Sequence, residues 1–288
     1  SELTIQILDL IADGGSTKAD WAVLEDNGQV RLLSSEGFNP NQHDAQQIAL
    51  KLAGDPALMA LAEQVSSVRY FGSGCSSPEL KAIAGAGLRA FFKHASIEVD
   101  HDVQAAALAV CGNTPGIACI LGTGSNACYF DGRHAQPARS GLGYILGDEG
   151  SGTWFGKRLV TRYLYGLMPD DLSREFDKHY ALTRDEVIRR VYRESGANNW
   201  LASFAPFLSM HREHPWILET LDAGFAEFFE LCVRPIQVPT PLPVHFVGSI
   251  AHAFQPELIR TGTRLGQPVG TILQKPIEGL VRHFRQLH

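Results

Sequence analysis

Charge is scarce in this chain. Only 19% of its 288 residues are charged, and 31 acidic residues outnumber 25 basic ones, for a formal net charge of −6. That balance offers no broad basic surface, so neither nucleic acid nor an anionic membrane is an expected partner. Cysteine is sparse as well. Cys75, Cys111, Cys119, Cys128 and Cys232 form no CxxC pair and no even framework, which excludes a disulfide scaffold and fits a reducing, cytoplasmic compartment. No apolar run approaches the ~20 residues that span a bilayer. The opening SELTIQILDLIADGG lacks a basic region and runs straight into a strand and a glycine turn, so no signal peptide is expected. No GxxxxGKS or GxxxxGKT loop occurs, which removes a Walker A site. HREH at 211–214 does not have the spacing of a zinc-protease helix. No helix-turn-helix extension is evident at either end.

What is present is a globular composition, 44% hydrophobic with 28 glycines, long enough for two domains of ordinary size. LTIQILDLIA at 3–12 reads as a buried strand. DGGST, KADWAVLED, Asn27-Gly28 and QVRLLSSE continue it as a three-strand antiparallel meander. Residues 43–66 read as helix, interrupted near Gly54-Asp55-Pro56. VRYFGSGC is a strand, the segment after Pro78 a helix, ASIEVDHD a strand, and VQAAALAVCG a short helix. The first pattern then returns. GIACILG is a strand, TGS a turn, NACYF a strand, and Asp131-Gly132 a second hairpin signal. Two such units, beginning about a hundred residues apart, predict two similar domains. Residues 152–235 read as mainly helical. One further strand, PVHFVGSIA, follows, and a helix opened by Pro276 ends the pattern. The expected class is α/β, with a mixed sheet in each half and ligands collected at a central cleft near strand ends.

Four stretches can carry chemistry. In DGGSTKADW, Gly14 and Gly15 can serve a hairpin alone. The same turn also offers backbone N–H groups, the Ser16 and Thr17 hydroxyls and the Lys18 ammonium, a set that suits a polyphosphate. Asp13 beside it suits magnesium held through water. GTGSN at 122–126 repeats the device with Thr123 and Gly124; a bare hairpin remains its other reading, and Asn126 belongs to the strand leaving the turn. Asp102, at the end of a strand, is either a helix cap or a carboxylate that takes a proton from an attacking hydroxyl. Strand alternation predicts that His101 faces away from it. SGLGYILGDEGSG packs five glycines into 141–152. It reads as a close-fitting loop whose Asp148 accepts from a polyol, or as a structural connection. Asn39 in GFNPNQ is a turn residue or a sugar contact. Gly248 and Ser249 permit close approach of a flat base.

Taken in order, these motifs resemble the sugar-kinase side of the actin/hexokinase/heat-shock ATPase superfamily. More narrowly the chain is similar to the BadF/BadG/BcrA/BcrD-type ATPase family and, within it, to the N-acetylglucosamine kinases. DGGSTKADW and GTGSN match the two phosphate motifs, HDVQAAALA the segment whose catalytic aspartate falls on Asp102, and SGLGYILGDEGSG the sugar-side loop. VHFVGSIA matches the adenosine motif and QKPIEGLVRHF the closing helix. The resemblance implies two ribonuclease-H-like domains, 1–113 plus 275–288 and 114–274, the second with a helical insertion. It implies ATP and magnesium as cofactors, and an amino sugar as acceptor: N-acetylglucosamine at its 6-hydroxyl first, with glucosamine and N-acetylmuramic acid as alternatives. Asp102 is then the base. Asp13, Gly14, Gly15, Ser16, Thr17, Lys18, Thr123, Gly124, Gly248 and Ser249 hold the nucleotide, with Asp13 on the metal through water. Asn39, Gly141, Leu142, Gly143 and Asp148 hold the sugar. A homodimer is common in such families. The sequence departs from the vertebrate kinase at Asp13, Ser16 and Leu142, where that enzyme has glutamate, glycine and an aromatic residue. The family's other branch drives a reductase or dehydratase with an iron–sulfur cluster; apart from Cys75 in GSGCS no cysteine here sits in a glycine-flanked position that fits that site, and the cluster is not expected.

Overall fold

The computed structural model describes residues 6–136, 138–238 and 240–286. The chain divides into two compact units, Ser1–Gly112 with Pro276–His288, and Asn113–Lys275.

Unit 1 is built on five strands: β1 (Leu8–Gly14), β2 (Lys18–Glu25), β3 (Val30–Glu36), β4 (Val65–Gly72) and β5 (Ser96–His101), in the order β3-β2-β1-β4-β5. The first three pair antiparallel, and β4 and β5 join parallel to β1 and to each other. Residues 3–5 of the expected first strand lie outside the described residues, and β1 extends through Asp13 and Gly14, beyond the expected end at residue 12. The expected helix over 43–66 divides at Gly54. Asp44 caps Ala45–Ala53 in a reciprocal capping box with Gln47, and the Asp55 carboxylate accepts from the Leu58 amide to start a new helix at Pro56. Trp21, Phe38, Tyr70 and Phe92 form the aromatic centre of this core.

Unit 2 repeats the topology. β6 (Gly116–Leu121), β7 (Ser125–Phe130), β8 (Ala135–Gln136), β9 (Val244–Val247) and β10 (Val269–Leu273) lie in the order β10-β9-β6-β7-β8. Again the first three are antiparallel and the last two parallel. The sequence reading foresaw one strand after the helical region, and the structure has two. The missed one, β10, is a short half-exposed edge strand containing Gly270, so its burial follows no clean alternation, although Val269, Thr271 and Ile272 are residues that favour strands. Its glycine is required: a Cβ there would stand 2.5 Å from the His245 ring. The helical part of this unit gathers Phe155, Phe176, Phe207, Phe225, Phe228 and Phe229 into one core with the sheet residue Phe246, which Phe228 and Phe229 meet directly. Together the two mixed sheets and their helices make an actin-like ATPase fold.

Within unit 1, the helix Pro276–Arg285 packs on the helix Asp102–Cys111 and on β1 and β2. The contact is close because Gly279 has no side chain: a Cβ would lie 2.5 Å from the Ala109 carbonyl oxygen. Among the described residues no helix is long and apolar enough to cross a membrane.

Candidate functional site

In unit 1, three short segments converge on the first glycine turn. β1 ends at Gly14 and β2 begins at Lys18, which leaves Gly15, Ser16 and Thr17 between them. The Gly15 amide closes the turn on the Lys18 carbonyl at 2.9 Å. The Gly37 amide donates to Thr17 O and the Ser73 amide to Gly14 O, at 2.8 and 2.7 Å. Gly37 must be glycine, since a Cβ would stand 1.9 Å from Gly15 O. Ser16, Thr17 and Lys18 are exposed.

Gly14 has a neighbour that the sequence did not reveal. A Cβ on it would lie 1.8 Å from the Tyr70 hydroxyl. Tyr70 is 1% exposed and stacks on Phe38 at 4.9 Å between ring centroids. Its hydroxyl has no hydrogen-bond partner, and burial pushes its pKa well above the usual tyrosine range. One face of Gly14 is therefore filled by protein.

Asn39 lies against the same turn. Its Nδ2 donates to Ser16 Oγ at 2.9 Å, while its Oδ1 accepts from the Asn41 amide at 2.9 Å. Gly74, at φ +78°, makes room for that carbonyl oxygen. The asparagine thus braces the turn, and one of its Nδ2 hydrogens is uncommitted in these bonds.

Asp102 is the first residue of its helix. His101 Nε2 lies 3.1 Å from Asp102 Oδ1, so the two side chains meet, contrary to the alternation expected of a strand. The reason is local. His101 is the last extended residue, and the chain turns into helix at the next position, where the period-2 rule ends. Burial raises the Asp102 carboxyl above its ordinary range, opposed by His101 and by the Val103 and Asp102 amides. The helix cap proper is His101, which makes no side-chain capping bond. Asp100 instead accepts from the His101 amide at 2.7 Å and pairs with Lys81 at 3.3 Å. Cys75, fully buried nearby, has its thiol pushed up to about 11 by burial and by Asp102.

In unit 2, the turn is Gly122–Gly124, closed by the Gly122 amide on Gly124 O at 3.0 Å. The start of the helix Gly152–Leu164 docks on it. The Gly152 amide donates to Gly122 O at 2.7 Å, and Thr153 Oγ1 to Thr123 O at 2.6 Å. Ser151 caps that helix through the Trp154 amide. Asp148 sits in the left-handed region at φ +56°. Its Oδ1 accepts from the Ser125 amide at 3.0 Å. Burial pushes its carboxyl up, the Ser125 amide holds it down, and Glu149 raises it further. Gly141 (φ +86°) and Gly143 (φ +79°) turn the preceding loop, and Leu142 between them is exposed.

The sequence reading placed Asn126 on the strand leaving the turn and gave its side chain no part. It lies on β7, and its side chain reaches the glycine loop. Ser140 Oγ donates to Asn126 Oδ1 at 2.7 Å, and a Cβ on Gly141 would lie 3.2 Å from Asn126 Nδ2. The signal available was an amide directly after a glycine turn on a strand otherwise apolar.

Gly248, at φ +136°, presses on β6: a Cβ would be 2.2 Å from Leu121 O. The helix Ser249–Ala253 starts there. Between it and the second turn opens a cavity of about 340 Å³, lined by Gly122, Thr123, Gly152, Ser249, Ile250 and Phe254. Ala202, Ser203, Ala205, Pro206 and Ser209 close its other side. Sequence reasoning did not find those five, because small residues in a helical stretch look like packing. Unit 2 thus gathers Thr123 and Ser249 at one cavity, with Gly248 next to Ser249 in the chain, and Gly124, Gly141, Leu142, Gly143 and Asp148 around the loop.

HREH proves structural. Arg212 makes a two-pronged bond to Glu257, 2.6 Å at each contact, and His214 Nε2 meets Asp171 at 2.9 Å.

No known family pattern matches the chain, and no curated protein does. Solved structures do match. One is described as "Putative N-acetylglucosamine Kinase" from Porphyromonas gingivalis. It is 37% identical over 96% of this chain and 98% of its own, with a TM-score of 0.89. A second protein of the same description, from Chromobacterium violaceum, is 19% identical over 97% and 99% of the two chains, with a TM-score of 0.76. A glucokinase from Balamuthia mandrillaris shares the fold at 11% identity, over 97% and 94% of the chains, with a TM-score of 0.51. At that level of identity and coverage, the chain belongs to the family of the Porphyromonas gingivalis protein, within the actin-like ATPase fold.

Proposed function

We propose that the protein is an ATP-dependent sugar kinase, and specifically one that phosphorylates an amino sugar, N-acetylglucosamine first among them, at the 6-hydroxyl. The observation that carries the reading is Asp102. It is a carboxylate raised by burial, fixed at the start of a helix by an imidazole and two amides. A group so placed can hold an acceptor hydroxyl and take its proton.

The geometry of each unit supports the following roles. Gly14, Gly15, Ser16, Thr17 and Lys18 in unit 1 and Thr123 and Gly124 in unit 2 bind phosphate oxygens through amides, hydroxyls and one ammonium. Gly248 and Ser249, with the cavity beside them, take the adenosine. Asp148 and Asn126 hold sugar hydroxyls, and Gly141, Leu142, Gly143 and Asn39 shape that side. Asp13 at the end of β1 and Ser16 and Thr17 in the first turn offer oxygen donors, a set that fits magnesium held largely through water. When bound, magnesium neutralises charge on the phosphate oxygens. In the reaction the sugar oxygen bonds to the γ-phosphorus as the bond to the β-phosphate oxygen breaks. The hydroxyl proton passes to Asp102, and ADP leaves. Placement and charge compensation supply most of the rate.

The proposal includes the BadF/BadG/BcrA/BcrD-type kinship, ribonuclease-H-like domains at 1–113 plus 275–288 and at 114–274, and a cytoplasmic protein. A coupled ADP-release assay over amino sugars and plain hexoses tests it. Sugar-dependent ADP release, fastest with an N-acetylated amino sugar, is expected. ADP release that no sugar accelerates overturns the kinase reading.

A further inference from the structure

The pairing of His101 with Asp102 has a role of its own, which rests on the kinase reading. We infer that His101 is a positioning residue: its Nε2 engages Oδ1 of Asp102 and leaves the other carboxylate oxygen to receive the acceptor hydroxyl. The distance is 3.1 Å, and the two residues are adjacent at the junction of β5 and its helix. A carboxylate rotates freely about its own bond unless it is held. Here the Val103 and Asp102 amides hold it from the helix side and the imidazole holds it from the strand side.

The imidazole also opposes a cost. Burial favours the protonated acid, which cannot accept a proton, and His101 is the foremost group counteracting it. The other titratable groups at this corner have different attachments. Lys81, from the helix Pro78–Phe91, pairs with Asp100. Asp100 also accepts from the His101 backbone amide. Cys75 is neutral at working pH, with its thiol held up near about 11. Lys81 is thus committed to Asp100, and the imidazole is the cationic or donor side chain on Asp102 itself. His101 keeps 31% of its side-chain surface exposed, so solvent reaches the ring while Nε2 stays on the carboxylate.

Two measurements test this. In the first, carbon NMR follows the Asp102 carboxyl through a pH titration, with Asp102→Asn used to assign the signal. In His101→Ala the carboxyl should titrate at higher pH than in the unaltered protein. An unchanged titration overturns the inference, whatever the activity. In the second, kcat is followed against pH. His101→Ala should lower kcat by roughly 10- to 100-fold, with KM for ATP unchanged and the acid limb moved to higher pH. His101→Gln, which still offers an N–H to Oδ1, should recover most of the turnover at neutral pH. Superimposable pH profiles for the unaltered protein and His101→Ala also overturn the inference. Near-normal turnover in Asp102→Asn is a different result. It removes the base from the kinase reading, while the carboxyl titration still decides whether His101 governs Asp102.

Discussion

Gly124 leaves the space that the Asp148 carboxylate occupies: a Cβ on Gly124 would stand 3.0 Å from Asp148 Oδ2, and the next amide, that of Ser125, donates to Oδ1. The second glycine turn and the glycine-rich loop are therefore one device. Gly124→Ala should push the carboxylate off the Ser125 amide and weaken sugar binding, with little change in melting temperature. Asp148→Ala should weaken sugar binding at least as much, because it removes the acceptor altogether. Calorimetric titration with the preferred sugar measures both. Unchanged affinity in Asp148→Ala removes that residue from the sugar site.

Asp102→Asn should cost about 10²–10⁴-fold in kcat while sugar affinity holds, since the amide keeps the shape and cannot take a proton. The same substitution should make the fold more stable at neutral pH. The folded carboxyl titrates above its unfolded value. Its contribution to stability is complete below the ordinary carboxylate range and is lost as pH rises through the raised value. Asparagine never ionises and escapes that loss. Melting temperatures of the two proteins should therefore converge in acid and separate toward neutrality. A parallel pair of curves contradicts the raised carboxyl.

Tyr70→Phe should leave stability within about 1 kcal/mol of the parent or raise it, because the hydroxyl removed has no partner. Gly14→Ala should destabilise by about 1–3 kcal/mol, the usual cost of overpacking, since its methyl meets the Tyr70 ring. The double variant should recover part of that loss, because the nearest clashing atom is gone. Denaturant melts of the four proteins decide it, and strict additivity would mean that the two residues do not press on each other.

Ala253 borders the cavity beside Ser249. Ala253→Phe should raise KM for ATP by about 10-fold or more, with the sugar KM and the melting temperature nearly unchanged. An unaltered KM for ATP would place the adenosine elsewhere.

The repeated meander was legible because its signals are local. Asn27-Gly28 and Asp131-Gly132 announce hairpins, and β1 and β6 are central strands that read as apolar runs. The ordered glycine turns were legible as motifs for the same reason. What the sequence hid is contact across strands and loops. Tyr70 under Gly14, Asn126 beside Gly141 and Asn39 on Ser16 join residues far apart in the chain, and nothing in composition reports such pairs. His101 was misread because a periodicity was carried one residue past the strand that generates it. β10 was missed because an edge strand has little apolar patterning to show.

The helix Pro276–Arg285, which covers the Asp102 helix through Gly279, lies beyond the whole of unit 2 in the chain. This sets an order of manufacture. Residues 1–112 are translated well ahead of the helix that covers β1 and the Asp102 helix, and the contiguous segment Asn113–Lys275 is translated between them. Unit 2 is thus built from one unbroken stretch of chain, while unit 1 must wait, with part of its apolar surface bare, for a partner encoded about 160 residues later.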